Sequence, residues 1–238
     1  MGLLDFFKKK PKTQEPKVSI KVIYRDADGN EIDTDSEEFR REQEEWERLE
    51  RERKQKQEQQ QAENRLFLAE AGVNIESFTP ERVISDAIAL IGSVCPPMQA
   101  YHCDLRKSEP NIVFSSPTKT GKVPKNVVVA HMSHDEVIER PSSIEGFPHL
   151  EHGDSLIVHL HYLSDGSINM ADIYGWHAHF GQGVIIRRFG DEHRIVEVKR
   201  AAPKSEGVWT SLYKNPKPDS NDIGLEQLEK SVRHIFGS

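Results

Sequence analysis

The stretch that decides the fold is residues 155–199, which read SLIVHLHYLSDGSINMADIYGWHAHFGQGVIIRRFGDEHRIVEVK. Apolar and polar residues alternate along it, as they do in half-buried β-strands. Pairs of turn-forming residues interrupt it at Asp165-Gly166, Gly181-Gln182 and Gly190-Asp191. We therefore expect four strands, at Ser155–Leu163, Ser167–Phe180, Val184–Phe189 and Arg194–Lys199. Strands joined by such short turns must be antiparallel, so the stretch predicts an antiparallel β-meander.

Helices and shorter strands are expected on both sides of the meander. Thr79-Pro80 is typical of a helix start, and an apolar stripe follows it up to Ile91. Short strands are predicted at Ile112–Phe114 and Val127–Ala130, a short helix after Ser133, and a last amphipathic helix from Asp222. The fold class is therefore α+β: a long charged N-terminal helix followed by an antiparallel β-meander packed with helices.

The long charged helix is predicted from charge spacing. Thr34-x-x-Glu37 indicates its start and Gly72 its end. Opposite charges between them recur at three- and four-residue spacing, which stabilises a helix without burial. Apolar residues do not repeat in sustained heptads, so a strong dimeric coiled coil is not expected. The predicted organisation is a flexible tail (1–17), a small β-hairpin (18–34), a charged solvated helix or linker (35–72) and an α+β globular domain (73–238).

The composition limits the class of function. Of the 238 residues only 36 % are hydrophobic, and the formal net charge is −7. No apolar run approaches the ~20 residues of a membrane-spanning helix, and no secretory signal is recognisable, so we expect a cytoplasmic protein. The acidic balance gives no strong nucleic-acid signal. Leu3, Leu4, Phe6 and Phe7, followed by lysines, allow weak peripheral membrane contact through residues 1–10.

The first of two His-x-His pairs provides the candidate site residues. Residues two apart on a strand share a side, so His159 and His161 point the same way. A two-residue turn at Asp165-Gly166 would place Asp172 opposite His159 and Met170 opposite His161. A structural His159–Asp172 pair is the simpler interpretation. Two histidines and one carboxylate are also a recognised ligand set for zinc, which then keeps an open position for water.

The second pair, His177 and His179, falls on the opposite side in this register. Only a β-bulge between the two strands, for example at Gly175, would bring all four imidazoles to one face. Whether His177 and His179 have a function stays open at this point.

The candidate zinc ligands also resemble a known motif. His159-Leu160-His161, followed by Asn169-x-x-Asp172, resembles the His-x-His, Ser-x-x-Asp signature of JAMM metalloproteases. The resemblance implies zinc bound by His159, His161 and Asp172. It also implies an upstream glutamate that acts as general base on the bound water, for which Glu109 is the candidate.

Two positions differ from the JAMM pattern, because Tyr162 replaces its proline and Asn169 its serine. A tight turn at Asp165-Gly166 is also incompatible with the loop of that family, so strand pairing distinguishes the two interpretations. The strand of His159 and His161 further resembles the His-hydrophobe-His strand of rolling-circle nucleases and relaxases, with Tyr213 as the candidate nucleophile.

The leading hypothesis is a soluble, non-catalytic interaction or adaptor protein without a cofactor. Its charged helix would be a spacer or docking arm for a C-terminal α+β binding domain, and its protein partner is unknown. The alternative is a zinc-dependent hydrolase that uses His159, His161 and Asp172. A third possibility is oligomer assembly through the charged helix.

Overall fold

The computed structural model describes residues 37–140, 149–177, 180–201 and 209–214. The tail and hairpin predicted for residues 1–34 and the helix predicted from Asp222 lie outside them. Among the described residues, two helices accompany a seven-stranded antiparallel sheet, which confirms the α+β class.

Within the described ranges the helices come first and the strands follow. The helices are α1 (Glu37–Glu70) and α2 (Pro80–Val94), with short 3-10 segments at Ile75–Ser77, Pro96–Ala100 and Leu105–Lys107. The strands are β1 (Asn111–Phe114), β2 (Val128–Arg140), β3 (His149–Tyr162), β4 (Ile168–His177), β5 (Phe180–Phe189), β6 (Glu192–Ala201) and β7 (Trp209–Lys214). Each strand pairs with the next one along the chain, always antiparallel, so the predicted meander is confirmed.

Helix α1 contains 34 residues, about 50 Å at 1.5 Å per residue. Gly72 follows it with a φ of 84°, the left-handed conformation that glycine adopts most readily beyond a helix end. The chain divides into two compact units, Met1–Lys56 and Gln57–Ser238, and the division falls inside α1. The domain boundaries from the sequence stay predictions. No helix of the described residues has the length and apolarity needed to cross a membrane.

One face of the sheet, here called the inner face, carries the hydrophobic core. Every second side chain of β3 is buried there, from Leu156 to Tyr162. The same core includes the buried stripe of α2, formed by Val83, Ala87, Leu90 and Ile91. Burying each of the larger side chains contributes about 1.5–3 kcal/mol. The opposite, outer face carries the odd-numbered residues of β3, and Ile157, Tyr174 and Trp176 on it are only half-buried.

The last turns of α1 cover the edge of the sheet at β1. The Asn64 Nδ2 donates to the Phe114 carbonyl at 2.8 Å, and the Gln61 Oε1 accepts from the Phe114 N–H, also at 2.8 Å. At Phe114 these side chains make the two hydrogen bonds that a neighbouring strand would otherwise make. The helix therefore covers the edge at this residue, and the two bonds hold its last turns in place.

Two predicted elements were wrong. The helix predicted after Ser133 is part of β2, which pairs with β3 from Val128↔Tyr162 to Arg140↔His149. The turn predicted at Gly181-Gln182 lies inside β5, because Gly181 pairs with Trp176 and His177 pairs with Phe180. Gly181 and Gly183 pair with the aromatic residues Trp176 and Tyr174. A glycine inside a strand can mark a close approach of another group rather than a turn, which a local turn rule does not consider.

Candidate functional site

Strand pairing places three histidines and one aspartate on the outer face. His159 lies opposite Asp172 on β4 and opposite His131 on β2. His161 lies opposite Met170. The register predicted for His159 and His161 is therefore confirmed, and His131 joins them.

The turn that sets this register differs in detail from the prediction. The Leu163 N–H donates to the Ser167 carbonyl at 2.8 Å, and the Gly166 N–H donates to the Leu163 carbonyl at 3.0 Å. Three residues, not two, therefore separate the paired positions Leu163 and Ser167. The last of the three, Gly166, has a φ of 78°. The pairing Tyr162↔Ile168 is one residue out of the predicted register. A β-bulge at Asn169 restores it, because His161 pairs with Met170.

The four side chains are not equally close. The rings of His131 and His159 pack edge to face with centroids 4.4 Å apart, and the Tyr174 ring lies 6.2 Å from that of His159. The carboxylate of Asp172 is 3.8 Å from the Nε2 of His161, at side-chain exposures of 20 % and 18 %. Asp172 thus lies closest to His161, the diagonal neighbour, rather than to His159 directly opposite.

The electrostatic environment keeps His159 neutral. Burial is the main cause that lowers the pKa of its imidazole below the usual value, and the charges that His131 and His161 would carry act in the same direction. Asp172 opposes this shift. Burial, and then Asp172, raise the pKa of the Tyr174 hydroxyl. At pH 7 the outer face therefore presents a neutral His159 and a protonated Tyr174.

The described residues include no group of three or more His, Cys, Asp or Glu side chains placed to hold one metal ion. His159 packs against His131, and Glu109 is exposed in the segment before β1. Zinc binding by His159, His161 and Asp172, and the role of Glu109 as general base, stay predictions. The closed turn at residues 163–167 is the arrangement that is incompatible with the JAMM loop.

The second His-x-His pair is not brought to this face. The register between β3 and β4 is continuous from His161↔Met170 to Asp154↔His177, so no bulge occurs at Gly175. Position 177 therefore keeps the strand parity opposite to that of Asp172. His179 lies outside the described residues.

A separate polar cluster lies on the inner face beside a cavity of about 160 Å³. Asp154 is 3 % exposed and accepts the N–H of His102 at 2.9 Å. Burial raises the pKa of the Cys103 thiol to about 11, and the charge of Asp154 acts in the same direction. Because the thiolate is the nucleophilic form, Cys103 is not activated at neutral pH.

Sequence reasoning missed His131, since β2 was expected to end at Ala130. Part of the signal was available: if β2 continues by one residue, strand alternation places His131 on the same side as Val129. That Val129 pairs with His161 is known only from the structure. The misleading signal was Ser133-x-x-Glu136, which is typical of a helix start.

Comparisons with protein families, with curated proteins and with solved structures find no match to this chain. Its function therefore has to be inferred from the described residues. They offer the outer face of the sheet and, on α1, the exposed apolar side chains of Trp46, Leu49 and Leu66.

Proposed function

We propose that this protein is a cytoplasmic, non-catalytic interaction protein, in which α1 is a docking arm for a protein partner and the sheet unit is the binding domain. The observation that carries the proposal is the exposure of two large apolar side chains in the first half of α1, whereas a third exposed one, Leu66, lies near its end. Trp46 is 63 % exposed and Leu49 is 52 % exposed. They are three residues apart and therefore neighbours on one side of the helix.

The helix does not require these two side chains for its own stability. All residues from Arg40 to Gln60 are exposed, and Arg–Glu pairs follow one another along the helix. Examples are Arg41–Glu37 at 3.2 Å, Arg48–Glu45 at 3.6 Å and Arg51–Glu47 at 3.7 Å. Such pairs stabilise a solvated helix by about 0.3–0.5 kcal/mol each. Trp46 and Leu49 are thus available to a partner.

The chemistry of the helix indicates what partner fits. Trp is among the side chains most enriched at the centres of protein interfaces, where burial from water gives most of the binding free energy. Charges of both signs surround Trp46 and Leu49. We expect a partner with an apolar pocket for these two side chains and a rim of mixed charge.

Affinity capture with matched variants tests the proposal. The full chain is used as bait in three forms: wild type, Trp46→Ala/Leu49→Ala, and the control Gln55→Ala/Gln59→Ala, whose side chains are equally exposed on the same helix. We expect one protein to be retained by wild type and control and lost by the Trp46→Ala/Leu49→Ala bait. That complex must then form from purified components with the same dependence.

Sedimentation of the purified chain shows whether the partner is a second copy. In that case the wild type and the control self-associate and Trp46→Ala/Leu49→Ala does not. If the three forms behave alike in both capture and sedimentation, the docking role of α1 is refuted.

The zinc-dependent hydrolase is the second candidate, favoured by one observation. His159, His161 and Asp172 do share the outer face, as the register from the sequence requires. Metal analysis of the purified protein separates the two functions. The interaction proposal expects no stoichiometric zinc. One zinc per chain, lost in His159→Ala and kept in the control His102→Ala, would favour the hydrolase.

A further inference from the structure

A cavity of about 380 Å³ lies at one end of the sheet, where one of its lining residues, Met170, is the strand partner of His161. Its walls come from the loop before β2, from the start of β4 and from the end of β5. The lining residues are Lys125, Asn126, Asn169, Met170, Arg187, Arg188 and Phe189. The volume is within the range of small-molecule sites, about 300–1,000 Å³.

The β-bulge at Asn169 shapes this cavity. An extra residue in a strand redirects a side chain, and bulges are frequent next to binding sites. The Asn169 Nδ2 donates to the Asn126 Oδ1 at 2.7 Å, which fixes the orientation of both amides. The Nδ2 of Asn126 has no acceptor among the described residues, so its N–H groups remain available to a ligand.

Two cations that line the cavity have no counter-ion among the residues that the structure describes. Within the described part of the chain, Lys125 and Arg187 are exposed and form no ion pair. Arg194, directly opposite Arg187 on β6, is paired with Glu192 at 2.7 Å. Two like charges left unpaired around one cavity favour an anion in it.

The neighbouring Arg188 has a different role. Its guanidinium donates to the Ser167 hydroxyl and to the Gly190 carbonyl, the latter at 2.7 Å. It also contacts the carboxylates of Asp165 at 3.8 Å and Asp191 at 3.5 Å. Arg188 thus connects the β3–β4 turn with the β5–β6 turn and neutralises their aspartates, Asp165 and Asp191. Of the cavity cations, Lys125 and Arg187 are then the two without an ion pair among the described residues.

We propose that this cavity binds a small phosphorylated ligand with an apolar or aromatic body. Lys125 and Arg187 offer donors from separate directions and two positive charges, which match the several oxygens and the double charge of a phosphate monoester. The Asn126 amide adds a neutral donor. Met170 and Phe189 provide the apolar wall for the body of the ligand. This site is independent of the docking role proposed for α1.

Calorimetric titration with phenyl phosphate at low ionic strength tests the proposal on the full chain. We expect saturable binding at one site, and weaker binding of benzoate, which has one charge and two oxygens. Arg187→Gln should raise the Kd about tenfold or more, the effect of losing a charged hydrogen bond. The control Lys122→Gln removes an exposed cation from the same loop outside the cavity and should leave the Kd unchanged.

Each possible result of the titration either supports or refutes the proposed phosphate site. A one-site isotherm sensitive to Arg187→Gln but not to Lys122→Gln supports the site, provided that the urea midpoint of Arg187→Gln equals that of the wild type. Benzoate binding as tightly as phenyl phosphate would overturn the phosphate assignment. Equal weakening by both variants, or no saturable heat with the wild type, would overturn the site itself.

Discussion

The contact between α1 and the sheet edge gives a prediction with a calculable size. Asn64 is 2 % exposed, and its Nδ2 is 2.8 Å from the carbonyl oxygen of Phe114, which is itself buried. Asn64→Ala removes the donor and leaves that carbonyl without it in a place that water does not reach. The cost of such an unsatisfied group is about 1–3 kcal/mol.

Two further variants calibrate this value. Gln61→Ala removes the acceptor of the Phe114 N–H at a partly exposed position, where we expect about 0.5–1.5 kcal/mol. Gln59→Ala is the matched control, because its amide donates to the exposed Glu63 at 3.0 Å; we expect at most about 0.5 kcal/mol. Urea unfolding followed by far-UV circular dichroism gives the three free energies of unfolding.

Hydrogen exchange of the same variants locates the effect. If α1 is held by these contacts, Asn64→Ala accelerates amide exchange in the last turns of α1 and in β1 more than in β4. A loss below 0.5 kcal/mol for Asn64→Ala, equal to that of Gln59→Ala, would refute the idea that α1 closes the sheet edge.

Three other variants probe the sheet. Gly175→Ala should cost about 1–3 kcal/mol in urea unfolding, because a Cβ there would overlap with the Tyr101 ring; an unchanged midpoint would contradict this packing. Gln182→Met should raise the free energy of unfolding by about 1 kcal/mol, since neither polar atom of this buried amide has a hydrogen-bond partner in the described part of the chain; a loss would show that the amide is satisfied. The lowered pKa of His159 predicts that the free energy of unfolding decreases as the pH is lowered from 6.5 to the folded-state pKa. In this pH range the imidazole binds a proton in the unfolded chain but not in the folded one. His159→Gln should weaken this dependence of the urea midpoint on pH, and the exposed control His102→Gln should not; equal profiles would contradict the assignment.

The meander was predictable because its signals are local. The alternation in β3 and the Asp165-Gly166 turn set a register that holds at His159 and His161. The predicted and observed registers agree although the sequence did not indicate two features. The turn is one residue longer than expected, and the bulge at Asn169 compensates for the extra residue. A bulge depends on contacts between strands, which no local pattern records.

The wrong elements have the same physical origin. Ser133 and Glu136 satisfy a local rule for a helix start, but the long pairing of β2 with β3 outweighs that preference. The glycines of β5 resemble a turn, although Gly183 faces Tyr174 across the strands. The candidate site was predicted in part, since His159, His161 and Asp172 share a face. His131 was missed together with the strand that carries it.

The order of the strands has a consequence for how the chain acquires its structure. Each strand from β1 to β7 finds its partner immediately before or after it in sequence, so no hairpin has to wait for a distant segment. The entropy lost on closing such short loops is small, and contacts of low sequence separation favour fast folding. During synthesis, which proceeds at about 5–20 residues per second, each strand after β1 would emerge when the strand before it is already available for pairing. The strands can therefore be added to the sheet one after another while the chain is being synthesised.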